Sequence, residues 1–100
     1  MNPNLLKQAR QLQQQLAKIQ EELANETVVG SSGGGAVVVS LDGHGQLRGV
    51  KIDKAAVDPA DVETLEDLIA VAFKDAQAKV AELSRSRMGP LTGGLGLPGF

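Results

Sequence analysis

The run Ala36-Val37-Val38-Val39-Ser40-Leu41 constrains this chain more than any other segment. β-Branched side chains crowd it, and apolar residues fall on both faces: Val37, Val39 and Leu41 on one, Ala36 and Val38 on the other. A strand with two apolar faces has to be covered twice. Asp42-Gly43-His44-Gly45 follows at once, and an Asp-Gly pair between apolar runs marks a hairpin. Leu47-Arg48-Gly49-Val50-Lys51-Ile52 then alternates as a returning strand. Upstream, Thr27-Val28-Val29 is a shorter β-prone stretch, set off by Gly30-Ser31-Ser32-Gly33-Gly34-Gly35, which reads as a flexible turn. The sum is a three-stranded antiparallel meander.

On either side the pattern becomes helical. Leu5, Ala9, Leu12, Leu16, Ile19 and Leu23 recur at spacings of 4, 3, 4, 3 and 4, a heptad seam with glutamines between. The spacing predicts a helix over residues 4–25, ~33 Å long, with Asn2 or Asn4 as cap and Pro3 near the first turn. So narrow an apolar stripe suits a partner helix better than a broad core. After the meander, Asp58 is expected to cap a second helix, with Pro59 in its first position and Asp61 favoured by the helix dipole. Val62, Leu65, Leu68, Ile69, Ala72, Phe73, Ala76, Val80 and Leu83 supply its apolar face. Gly89-Pro90 is expected to stop it, for a length of ~45 Å. The expected fold class is α+β: a long N-terminal helix, the meander and a long C-terminal helix, in one domain over residues 1–89. Residues 90–100, rich in Gly, Pro and Leu, are expected to form a flexible tail.

Such a chain has little from which to build a core. Of its 100 residues 42% are apolar, yet only Phe73 and Phe100 are aromatic, and Tyr, Trp and Cys are absent. The core must be aliphatic. Domains of this size bury only ~60–65% of the surface their unfolded chains expose, and no disulfide adds to stability. Together with the doubly apolar strand, this points to a homodimer, with Val37, Val39 and Leu41 expected at the contact. The lack of cysteine fits a reducing compartment. No apolar run has signal-peptide or membrane-spanning length, so a cytoplasmic protein with no membrane partner is expected.

The residues that catalysis needs are missing. His44, the one histidine, lies between glycines in a turn, with no cysteine or second histidine to join it in a metal site. Ser31-Ser32-Gly33-Gly34-Gly35 lacks the Gly-Lys-Ser/Thr ending of a phosphate-cradling loop and leads into no helix. Glu21-Glu22 and Glu66-Asp67 are neighbours in sequence but diverge on a helix, which does not suit paired-carboxylate chemistry. No enzymatic activity, metal, cofactor or small-molecule substrate is expected. Without Tyr or Trp, any nucleic-acid contact would be to the backbone rather than by base stacking.

The charges are unevenly placed, although the net is only −2. Lys7, Arg10 and Lys18 stand without an acid in the first twenty residues, and Glu21, Glu22 and Glu26 follow. Asp58, Asp61, Glu63, Glu66 and Asp67 crowd the start of the second helix; Lys74, Lys79, Arg85 and Arg87 come later, among Asp75 and Glu82. With the helices side by side and antiparallel, Lys7 and Arg10 would approach Arg85 and Arg87. Glu21, Glu22 and Glu26 would approach the acidic start of the second helix. The first helix carries its charges against its macrodipole, at ~0.3–1 kcal/mol for each exposed placement. Two readings follow: a basic tip that meets polyanionic phosphate, or a solvated charged face, paired across a dimer. Arg48, Lys51 and Lys54 form a second basic cluster, which either extends that footprint or keeps an edge strand soluble.

The segment Leu65-Glu66-Asp67-Leu68-Ile69-Ala70-Val71-Ala72-Phe73-Lys74-Asp75-Ala76 resembles the helix motif of the YbaB/EbfC family of bacterial nucleoid-associated proteins. Met88-Gly89-Pro90-Leu91-Thr92-Gly93-Gly94-Leu95-Gly96-Leu97-Pro98-Gly99 resembles that family's C-terminal tail. The Gln-rich first helix, the Gly-rich turn and Val50-Lys51-Ile52-Asp53 fall in the same order, so the likeness covers nearly the whole chain. Val38 departs from it, standing where the family commonly has a polar residue. The resemblance implies a homodimer shaped like tweezers, with helical arms on a shared sheet. It implies binding of double-stranded DNA with little sequence preference, and a role in nucleoid organisation and gene expression. By position in the helices, the family's basic arm residues map onto Lys7, Arg10, Arg85 and Arg87. A competing reading is a chaperone-like or adaptor module that grips polypeptide with the helix seam and the apolar tail residues Leu91, Leu95, Leu97 and Phe100.

Overall fold

A computed structural model describes residues 2–95 of the chain. The first helix, α1 (Pro3–Asn25), starts where its capping residues place it. The Asn2 side chain accepts the Asn4 amide at 2.9 Å, and Pro3 occupies the first turn, where an amide proton has no helical partner. Three strands follow, β1 (Thr27–Ser32), β2 (Val37–Asp42) and β3 (Leu47–Ile52), in one antiparallel sheet ordered β1-β2-β3. The last element is α2 (Val62–Leu95). This is the α+β meander flanked by two long helices that the periodicities predict.

β1 extends into the segment expected to be a turn. Gly30 is buried within it, and a Cβ there would collide with the backbone of Ala72 and Ala76 in α2. The glycine therefore marks a close approach of helix to strand rather than a bend. The connection to β2 is a tight turn over residues 33–36, in which Gly33, Gly34 and Gly35 have φ of 59°, 68° and 94°, left-handed conformations that glycine adopts at little cost.

Val37, Val39 and Leu41 project from β2 onto α2, have no exposed surface, and pack with Ala72 and Ala76. Leu65, Leu68, Ile69, Phe73 and Val80 complete this core. The expectation that Val37, Val39 and Leu41 form a dimer contact is thereby overturned. A side chain fully buried in one chain has no surface to offer another. α2 lies over β1 and β2 and leaves β3 bare. The register sets Val50 and Ile52 beside Val39 and Val37 on the same sheet face, yet they are 45% and 36% exposed, and Leu47 is 58% exposed. The outer edge of β1 is closed instead. The Ser31 amide donates to Asp75 (3.0 Å), and Lys79 Nζ donates to the Val29 carbonyl (3.0 Å) and to Asp75 (3.3 Å). β3 is thus the open edge of the sheet.

Both ends of α2 differ from expectation. Asp58 caps only a turn, through the Ala60 amide at 2.9 Å. Asp61 caps the helix, accepting the Thr64 hydroxyl at 2.6 Å and its amide at 3.3 Å, bonds that hold its carboxyl below the usual carboxylate range. At the other end the helix passes through Gly89-Pro90 and continues to Leu95. A proline there removes one hydrogen bond, to the Ser86 carbonyl, and the remaining turns continue without it. The rest of the expected tail, residues 96–100, lies outside the described residues. The long helices make an extended molecule, 69 × 24 × 17 Å, with a radius of gyration of 19.1 Å. A compact chain of this length has about 13 Å.

Candidate nucleic-acid interface

α1 is held to the body at its C-terminal end. Leu23 is its one buried residue. Its last turn has no basic side chain of its own, so the open carbonyls are met from the β2–β3 hairpin. The Gly43 amide donates to the Leu23 carbonyl (2.8 Å), His44 Nε2 to Gln20 (2.9 Å) and Arg48 to Ala24 (2.6 Å). A Cβ on Gly43 would strike the Leu23 backbone. Asp42 shapes this hairpin. Its carboxylate accepts the Gln46 amide (3.0 Å) and the His44 amide (2.8 Å), and these bonds, the Gln46 one foremost, hold its carboxyl below the ordinary range despite burial. Asp42, His44 and Arg48 thus hold a helix end in place. Among the described residues no group of histidine and carboxylate side chains is arranged to hold a metal ion, and no helix is long and apolar enough to cross a membrane.

From this anchor α1 runs back alongside the far half of α2, and the two diverge. Gln8, Leu12 and Ile19 of α1 face Arg87, Pro90 and Leu91 of α2 across an open groove. The start of the first helix therefore does lie toward the end of the second. The four cations nevertheless do not form one tip. Arg87 pairs with Glu22 (3.2 Å) and with Glu26, bridging α2 to the last turn of α1. Glu22 and Glu26 thus meet a cation, and the expected gathering of these acids at the acidic start of α2 does not occur. Arg85 pairs on the exposed surface with Glu82 at 3.0 Å. The cause is the offset of the two helices: Arg87 meets the last turn of α1, so Arg85 and Arg87 stand at the base of that helix, ~20 Å from Lys7 along it. In the second cluster, Arg48 is engaged with Ala24 and lies 4.0 Å from Asp42, while Lys51 and Lys54 are exposed on and just after edge strand β3.

A different set of cations is presented together. Lys7, Gln11, Gln14 and Lys18 recur at spacings of 4, 3 and 4, which puts them on the face of α1 opposite the leucine seam, with Arg10 one turn from Lys7. All are exposed. Lys7, Arg10 and Lys18 have no carboxylate partner among the described residues and span ~17 Å of helix. Lys18 was legible in the sequence, since the polar stripe repeats with the same heptad as the seam. At the other end of the molecule, Asp58, Asp61, Glu63, Glu66 and Asp67 are exposed around the start of α2.

The sequence profile of the YbaB/EbfC DNA-binding family matches residues 1–95 of this polypeptide. The chain belongs to that family. A nucleoid-associated protein of Roseiflexus sp. is 52% identical over the full length of both chains. One from Rhodospirillum rubrum is 53% identical, over 94% of this chain and 88% of its own. One from Rhodococcus erythropolis is 50% identical, over 96% and 90%. The fold is shared with the crystal structure of an uncharacterised Helicobacter pylori protein, with a TM-score of 0.78 at 23% identity, covering 91% of this chain and 97% of that one.

Proposed function

We propose that this member of the YbaB/EbfC family is a non-enzymatic protein of the bacterial nucleoid, binding duplex DNA as a homodimer through the outer face of α1. The observation that carries the reading is the exposed stripe of Lys7, Arg10 and Lys18, none of which pairs with a carboxylate among the described residues, on the arm away from the acids that open α2. Three cations projecting from one rigid helix neutralise phosphates, and the acidic end is repelled, which orients the duplex toward α1. The names of the relatives support the same setting. Contacts from Lys7, Arg10 and Lys18 to phosphate position the protein on the duplex and carry no base information, so sequence preference is low. The surface that α2 leaves uncovered supports the dimer reading. Leu47, Val50 and Ile52 of β3, continued by exposed Val57 and Val62, extend the core face to solvent. A second copy seated there would bring six such cations to one duplex.

A salt titration of duplex binding tests the residues. Six neutralised phosphates give log K against log salt a slope of about −5. Lys7/Arg10/Lys18→Ala should flatten that slope and abolish binding at moderate salt, whereas Arg87→Ala should leave the slope unchanged. Undiminished affinity in the triple variant would remove α1 as the binding face.

A further inference from the structure

The outer stripe of α1 holds more than cations. Between Lys7 and Lys18 it presents Gln11 and Gln14, ~6 Å and ~10 Å along the helix from Lys7. Both are exposed, and neither side chain has a hydrogen-bond partner among the described residues. Glu21 stands one turn beyond Lys18 on the same face and ends the stripe. Along the rod the order is cation, amide, amide, cation, acid, with Arg10 beside the first cation.

An amide differs from an ammonium in that its nitrogen donates while its oxygen accepts. The backbone of duplex DNA is a row of acceptors, phosphate oxygens on a sugar without a 2′-hydroxyl, and it offers the amide oxygen no donor. RNA carries a 2′-hydroxyl on every nucleotide, donor and acceptor at once, which matches both ends of an amide. Shape points the same way. The minor groove of B-form DNA is ~6 Å wide and ~7.5 Å deep, too narrow to admit a helix ~10–12 Å across. The major groove, ~12 Å wide, admits one helix, but α1 runs with α2 alongside it. The minor groove of an A-form duplex is wide and shallow and displays its 2′-hydroxyls. A straight rod laid across it sets Lys7 and Lys18 over phosphates on either side and the two amides over the hydroxyls between.

We propose that the outer face of α1 also binds duplex RNA, with Lys7, Arg10 and Lys18 on phosphates and Gln11 and Gln14 on 2′-hydroxyls. The inference rests on the reading of α1 as the nucleic-acid face and adds a second polymer to it. The duplex is favoured over the single strand because the chain has no Tyr or Trp on which splayed bases could stack.

The test compares short duplexes of one sequence, in DNA, in RNA and in 2′-O-methyl RNA, at one salt concentration with the full-length protein. The 2′-O-methyl duplex keeps the A-form and loses the hydroxyl donor. The wild type should bind RNA at least as tightly as DNA, and 2′-O-methyl RNA about tenfold more weakly than RNA. Gln11→Ala/Gln14→Ala, with unchanged circular dichroism, should bind DNA as the wild type does and no longer distinguish the two A-form duplexes. Lys7/Arg10/Lys18→Ala should lose both DNA and RNA. Binding of DNA without RNA would overturn this inference and leave the DNA reading standing, whereas binding of neither would overturn both. Discrimination against 2′-O-methyl RNA that survives the double alanine variant would overturn the contact assigned to Gln11 and Gln14.

Discussion

At Gly30 a missing methyl group sets the distance between helix and sheet. Ala72 and Ala76 are the matching small residues on α2, and the three together let backbones approach where larger side chains would hold them apart. Gly30→Ala should destabilise the fold by about 3 kcal/mol, read as a lowered urea midpoint with unchanged slope. Local pattern could not reveal this, because glycine signals a turn and a close approach alike, and the helix that decides between them lies far along the chain. Alternation did place Val37, Val39 and Leu41 on one face. It could not tell which apolar face meets the helices. Asp42, Asp61 and Asp75 are held by amides, a hydroxyl and, at Asp75, Lys79, all of which favour the ionised carboxylate. Their folded pKa values are depressed, so the stability they contribute is present above the unfolded carboxylate pKa of ~3.9 and is lost as pH falls below it. Urea midpoints should therefore decline steeply on acidification below that point. Asp42→Asn, which no longer titrates, should decline less steeply.

Among the elements, α1, β2 and β3 were legible because each carries its own period and α1 its cap, whereas β1 was legible only over its first three residues. α2 was legible in kind but not in extent. Asp58-Pro59 and Asp61 are both sound starting signals, and Asp61 prevails through its two bonds to Thr64. Gly89-Pro90 is a sound stop, yet the helix passes it. Arg85 and Arg87 lie within the rod rather than at its tip, and Arg87 meets the last turn of α1, so the expected cationic set divides. Pro90 leaves a weak point within the rod. Pro90→Ala restores the missing bond and removes a ring clash, worth up to ~3 kcal/mol in a helix interior. Amide hydrogen exchange between residues 86 and 95 should slow in that variant, while exchange around Ala72 and Ala76 stays unchanged.

At the scale of the whole molecule, the incomplete core foreseen from composition is visible as the bare face of β3. Val50→Asp should convert a dimer into monomers by sedimentation, whereas Val71→Asp, on an exposed site of α2, should leave the mass unchanged. The candidate site was legible in part. Lys7, Arg10 and Lys18 have no carboxylate partner among the described residues, whereas Arg87 is held by two glutamates, because helix offset is a tertiary property that no short window records. Separation of charge along a body 69 Å long has a consequence of its own. Such a rod carries a permanent electric moment, and near any strongly anionic polymer it experiences a torque before it touches anything. Collisions are then mostly end-on, with the acidic pole trailing. Raising ionic strength weakens the turning force as well as the grip, so capture slows even where final occupancy is still high.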